Sequence, residues 1–182
     1  MGFFIYLINL FSCYFQAELI LECLTESEKY RLAAEENRLE GKKPPPLPAI
    51  MRAYQVTCLE EYLLEMLARA RASELEECLI LLPFSSVCQL LELLVPLLKT
   101  PHHRTELVVR TLIFLVKVHH GPITSAYTIL PTLRKLTQLA RERIKELKVS
   151  FSNEPEFSFI VASYVHFGIF PHFIPFFIFI HS

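Results

Sequence analysis

Aspartate is absent from the 182 residues, so every carboxylate is a glutamate. Asp-based metal loops and a Ser-His-Asp triad are thereby excluded, although their Glu variants are not. Glycine is nearly as scarce: Gly2, Gly41, Gly121 and Gly168 are the full set. Neither a dinucleotide fingerprint nor a P-loop can be assembled from those positions, which argues against a nucleotide-cradling loop. The five cysteines, Cys13, Cys23, Cys58, Cys78 and Cys88, include no C-x-x-C pair, so no zinc ribbon or redox motif is written. Most fall on apolar helical faces, where a free Cys acts as a small buried hydrophobe. They read as reduced thiols of an intracellular protein. The formal net charge of -1 removes any strong general attraction to nucleic acid or anionic membrane.

That charge is unevenly placed. All 18 Lys and Arg and 17 of the 19 Glu lie between Ala17 and Lys148, whereas the flanking ends hold 13 of the 15 Phe. The first 16 residues, "MGFFIYLINLFSCYFQ", are short for a membrane span, lack a basic n-region and precede no cleavage site. "FSFIVASYVHFGIFPHFIPFFIFIHS" is long enough to span, but Pro171 and Pro175 interrupt it and no Lys or Arg flanks it closely. Residues 1–16 and 149–182 are expected to be extensions outside the fold, translated flanking sequence on a domain fragment. A membrane tether over residues 157–180 is the alternative.

The middle reads as helices. Ala17 to Glu40 forms one, with Leu21, Leu24, Leu32 and Leu39 on a narrow apolar face, and Gly41 ends it. "GKKPPPLPA" within residues 41–56 predicts a stiff extended connector outside the core. Residues 57–148 then carry repeated helix signals. Thr57-x-x-Glu60 and Ser73-x-x-Glu76 are capping boxes. After the second, Glu74, Glu76 and Glu77 favour the positive helix end, Leu75, Leu79 and Leu82 follow at helical spacing, and Pro83 breaks the run. Phe84 with Ser85 or Ser86 is expected to form the corner. "VCQLLELLVPLL" is apolar nearly all round and must be buried on several sides, with Pro96 kinking or ending it. Thr100-Pro101 predicts the next start and Gly121-Pro122 its end. A last helix over about 124–148, bent or restarted at Pro131, bears Leu133, Leu136, Ala140, Ile144 and Leu147 on one stripe. The fold expected is all-α: stacked helical hairpins, as a small α-solenoid or irregular bundle. Leu82 and Leu94 are placed at its centre.

No catalytic residue, metal site or cofactor is assigned. His102-His103 and His119-His120 are adjacent pairs, which point about 100° apart on a helix and do not chelate alone. For His119 and His120 the better role is at a helix C-terminus, where imidazoles meet free carbonyls. A Cys88–His119 nucleophile pair lacks an exposed, electropositive thiol. Arg134, Lys135, Arg141, Arg143, Lys145 and Lys148 form a basic face suited to RNA phosphates, diluted by Glu142 and Glu146 and without interleaved aromatics. A solvated face is the plainer reading.

"ASELEECLILLPFSSV", continued by "ELVVRTLIFLVKVHHGPITS" and "ILPTLRKL", resembles the helical C-terminal domain of the Dip-two/Utp-twelve family over about residues 17–148. Its usual signature is "SELEEALLVLPFS"; here Cys78 replaces the common Ala, and Ser86 stands where an aromatic is frequent. The resemblance carries over to Ser73, Glu74, Leu75, Glu76, Glu77, Leu79, Leu82, Pro83, Phe84 and Ser85, then to His119, Ile123, Thr124 and Ser125. It implies a non-catalytic interaction domain of WD-repeat scaffolds in the small-subunit processome. Its partners would be related helical C-terminal domains, the U-three snoRNP and pre-ribosomal RNA, in the nucleolus. An RNA-binding helical module and a membrane-tethered helical protein remain the other readings.

Overall fold

The computed structural model describes residues 2–71 and 74–150, with side chains placed over 10–71 and 74–146. The order is α1 (Gly2–Leu39), α2 (Ala49–Ala53), α3 (Leu59–Arg69), α4 (Leu75–Ile80), α5 (Phe84–Lys99), α6 (Thr105–Val118), α7 (His120–Ser125), a 3-10 turn (Tyr127–Ile129) and α8 (Leu130–Ser150). No strand occurs among the described residues, so the fold is all-α, as the periodicity predicts.

The nearly unbroken apolar run places α5 at the centre. Val87, Leu90, Leu91, Leu94, Leu97 and Leu98 are buried along it, and α1, α3, α6 and α8 all pack against it. Leu94 is completely buried and Leu82, at the corner before α5, is nearly so. The helix continues through Pro96 to Lys99, although Pro96 has no N–H to offer the carbonyl one turn back. The corner lies at Leu81 to Pro83, because Phe84 already begins α5 and the Val87 N–H meets the Pro83 carbonyl.

Several expected boundaries move. One helix, α1, runs across residues 16 and 17, and Cys13, Ala17, Ile20, Cys23 and Leu24 along it are buried in the common core. Uncharged composition before residue 17 marked a change of surface character, not an end of the helix. At its other end Gly41 adopts φ +68°, its N–H meets the Arg38 carbonyl, and the Lys42 N–H meets that of Asn37. This left-handed closure is what a C-terminal glycine supplies. The proline segment then turns back along α1: the Tyr30 hydroxyl donates to the Pro45 carbonyl and the Asn37 amide to that of Lys43. It leads into α2, whose Met51 is fully buried, so residues 41–56 are partly core and not a free connector.

Helix starts shift for local reasons. α3 opens one residue later than Thr57 predicts, with Cys58 preceding the first turn. Glu61, rather than Glu60, reaches back and accepts from both the N–H and the hydroxyl of Thr57. Those two donors hold the Glu61 carboxyl below its ordinary range. Ser73 lies outside the described residues. Thr100 ends α5, and α6 begins at Thr105, whose hydroxyl donates to the His102 carbonyl and accepts from the His102 N–H. α6 stops at Val118, and Gly121-Pro122 sits inside the short α7 instead of terminating its predecessor. The last region is therefore three pieces, and Pro131 falls in the first turn of α8, where its missing N–H costs nothing.

His102 has a further role at this start. Its Nδ1 accepts the Arg104 N–H at 3.1 Å, which requires that nitrogen to be unprotonated. Burial lowers its pKa from the ordinary value near 6.5, against an opposing pull from the Leu97 carbonyl. A histidine depressed in the folded state contributes stability that is complete above the unfolded pKa and lost as pH falls through the folded one. The unfolding free energy should therefore drop as pH falls below about 7, and His102→Asn, which keeps an acceptor, should flatten that slope in denaturant titrations.

Candidate interaction surface

The signature residues run from the start of α4 into the first turn of α5 and from the end of α6 through α7, and most of them build the fold. Leu75, Leu79 and Leu82 face the core. Buried Glu74 accepts the Ser12 hydroxyl at 3.2 Å, and Glu77 accepts the Cys13 thiol at 3.1 Å, so the two glutamates pin α1 to α4. Burial and that bond push Cys13 up to about 12, which keeps it an inert thiol. Glu76 lies 3.9 Å from the Arg110 guanidinium on α6. Pro83 precedes α5 in extended conformation and is exposed, half-buried Phe84 packs on the core, and Ser85 is exposed. His119 ends α6 with its Nε2 3.4 Å from the Leu79 carbonyl, so its ring meets the last turn of α4 rather than its own helix. Ile123 is buried, while the Thr124 and Ser125 hydroxyls both donate to the Gly121 carbonyl.

The inward phase of α4, at positions 75, 79 and 82, forces two apolar neighbours outward. Ile80 is 53 % and Leu81 47 % exposed, and Val118 on the adjoining end of α6 is 38 % exposed. The His119–Leu79 contact brings these helix ends together. The sequence signal was available, since three apolar residues in a row cannot all face inward on a short helix. Exposed adjacent aliphatics, framed by polar Glu76 and Glu77 and by Pro83, have the character of a protein-contact patch.

The basic face of α8 separates into two groups. Arg134, Lys135, Arg141 and Lys145 are exposed. Arg143 is not part of that face: it donates to the Leu98 and Lys99 carbonyls at 3.0 and 3.1 Å and pairs with Glu146. A guanidinium on the last carbonyls of α5 caps that helix and meets its negative end. The Lys148 side chain lies outside the described region.

No group of three or more His, Cys or Glu able to hold a metal ion occurs among the described residues. The His102 and His103 rings meet edge to face at 6.4 Å. Burial raises the Cys88 thiol, the opposite of what a nucleophile needs. No helix among the described residues is long and apolar enough to cross a membrane, and the segment 157–180 lies outside them.

Packed helices around one core, with a small apolar patch left exposed where α4 meets the end of α6, define a class: an all-α helical domain. Its family follows from comparison. The model of the Dip2/Utp12 family matches residues 59–155, more than half of the chain, and the chain belongs to that family. It is also 32 % identical over 137 residues to mouse WD repeat-containing protein 3, and 34 % identical over 108 residues to the human protein of that name. Those matches cover 72 % and 58 % of this chain but 14 % and 11 % of the relatives, so the chain spans a small part of their length.

Proposed function

We propose that this chain is a non-catalytic protein–protein interaction domain of a small-subunit processome scaffold, acting in maturation of small-subunit ribosomal RNA in the nucleolus. Its partners on this reading are the helical C-terminal domains of related WD-repeat proteins, and through them the U-three snoRNP and pre-ribosomal RNA. The observation that supports it is the outward placement of the apolar Ile80 and Leu81 within the family signature, whose leucines at 75, 79 and 82 are buried. An apolar pair of this kind is a candidate binding hot spot, worth 2 kcal/mol or more when removed in roughly a handful of positions per interface. Ile80→Glu with Leu81→Glu should weaken capture of such a partner domain at least tenfold, read by titration calorimetry, while the melting temperature stays within a degree or two of the parent. Unchanged capture by the folded double variant would remove this face as the contact.

Contact with RNA along α8 is a second reading, supported by the exposed cations Arg134, Lys135, Arg141 and Lys145 on one helix. Affinity for a ribosomal RNA fragment would then fall steeply with salt and with Arg141→Glu. Arg143 belongs outside that test, because its guanidinium is engaged on α5.

A further inference from the structure

A second apolar surface lies on α1, outside the stretch matched by the family. Cys13, Ala17 and Ile20 turn into the core, and the face beside them presents Leu10 (50 % exposed), Phe11 (74 %), Tyr14 (58 %) and Phe15 (55 %) to solvent. Pairs at positions 10 and 14, and at 11 and 15, stack one turn apart on a single face. In the sequence the same spacing continues backward to Leu7 and Phe3. Spacing of three and four between such residues is the pattern that two helices use to interlock.

We propose that this face pairs with the same face of a second copy of the chain, with the two α1 helices antiparallel and crossing near residues 10 and 11. Charge selects both partner and orientation. The first 16 residues carry no formal side-chain charge, so two copies meet there without repulsion. Exposed Glu18 and Glu22 follow. A parallel pair would bring each Glu18 against its twin, a destabilising like-charge contact. An antiparallel pair instead carries each Glu18 toward the first turn of the other α1. That turn holds no acidic residue to repel it. The four side chains expose roughly 400–500 Å² per copy, given the size of aromatic residues. Two copies therefore bury at most about 800–1,000 Å², in the range of weak, transient interfaces. The dimer is expected to be weak and concentration-dependent.

Sedimentation of the full chain across a hundredfold concentration range tests this. The parent should shift from monomer toward dimer, and Phe11→Glu with Phe15→Glu should stay monomeric with an unchanged helical signal. Ile80→Glu with Leu81→Glu should leave the self-association intact, which separates this surface from the signature patch. Cysteine variants in a background with the partly exposed Cys58 and Cys88 changed to Ser fix the direction: under mild oxidation Leu10→Cys, at the crossing, forms a disulfide with its twin, whereas Tyr14→Cys does not, since its neighbour is residue 7 of the other copy. A parent that remains monomeric overturns the proposal, as does association unaffected by the two glutamates, which would place another segment at the contact. Equal cross-linking at positions 10 and 14 overturns the antiparallel arrangement.

Discussion

Leu94→Asp should abolish the cooperative melting transition of the domain. Leu94 is fully buried on the helix that touches α1, α3, α6 and α8, so no neighbouring surface can turn it toward water. An unpaired carboxylate at such a site costs several kcal/mol even after relaxation, added to the lost burial of a leucine, about 1.5–3 kcal/mol. Domains of this size are stable by only about 5–15 kcal/mol. Leu94→Ala removes the side chain without adding charge and should cost about 2–5 kcal/mol, a lowered but still cooperative transition. The same contrast should appear between sequence neighbours: Leu82→Asp unfolds the domain and Leu81→Asp does not, because Leu82 is buried and Leu81 half exposed. Thermal melts followed by circular dichroism decide all four, and a Leu94→Asp variant that melts like the parent would show that α5 is not central.

The second large effect concerns the N-terminal helix. A chain beginning at Leu59, where the family match starts, should be far less stable than the full chain and bind dyes that report exposed apolar surface. Ile20, Leu24 and Met51 are each fully buried and would be lost together, while Tyr62, Leu63 and Met66 would lose cover. Three such side chains at about 1.5–3 kcal/mol each amount to about 5–9 kcal/mol, comparable to the stability of a whole domain. Urea titrations of the two chains measure the difference. Equal midpoints would mean that α1 rests on the core without supporting it.

Helical class, the central run of α5 and the glycine closure at Gly41 were legible because periodicity and backbone freedom act locally. Helix starts were less so. Thr57 and Glu60 have capping-box spacing, yet Glu61 makes the bonds, since a carboxylate one residue along reaches the same donors. Thr100-Pro101 looked like a helix start, but the Thr105 side chain closes on His102 and begins the helix four residues later. Arg143 read as one more solvated cation. Its engagement with the end of α5 depends on packing between segments some 45 residues apart, which no local pattern encodes. The phase of Leu75, Leu79 and Leu82 was legible, but its corollary, Ile80 and Leu81 facing outward, was not drawn from it, and the uncharged start of α1 concealed that one side of it is core.

Because α5 needs α8 for cover, the order of synthesis matters. Lys99 leaves the ribosome well before α8 exists, and at about 5–20 residues per second the interval lasts on the order of seconds. Throughout it, a helix apolar nearly all round has one flank bare, a ready target for holdase chaperones or for clumping with neighbouring polysomes. Slower decoding between codons 100 and 150 should therefore lower the yield of soluble product.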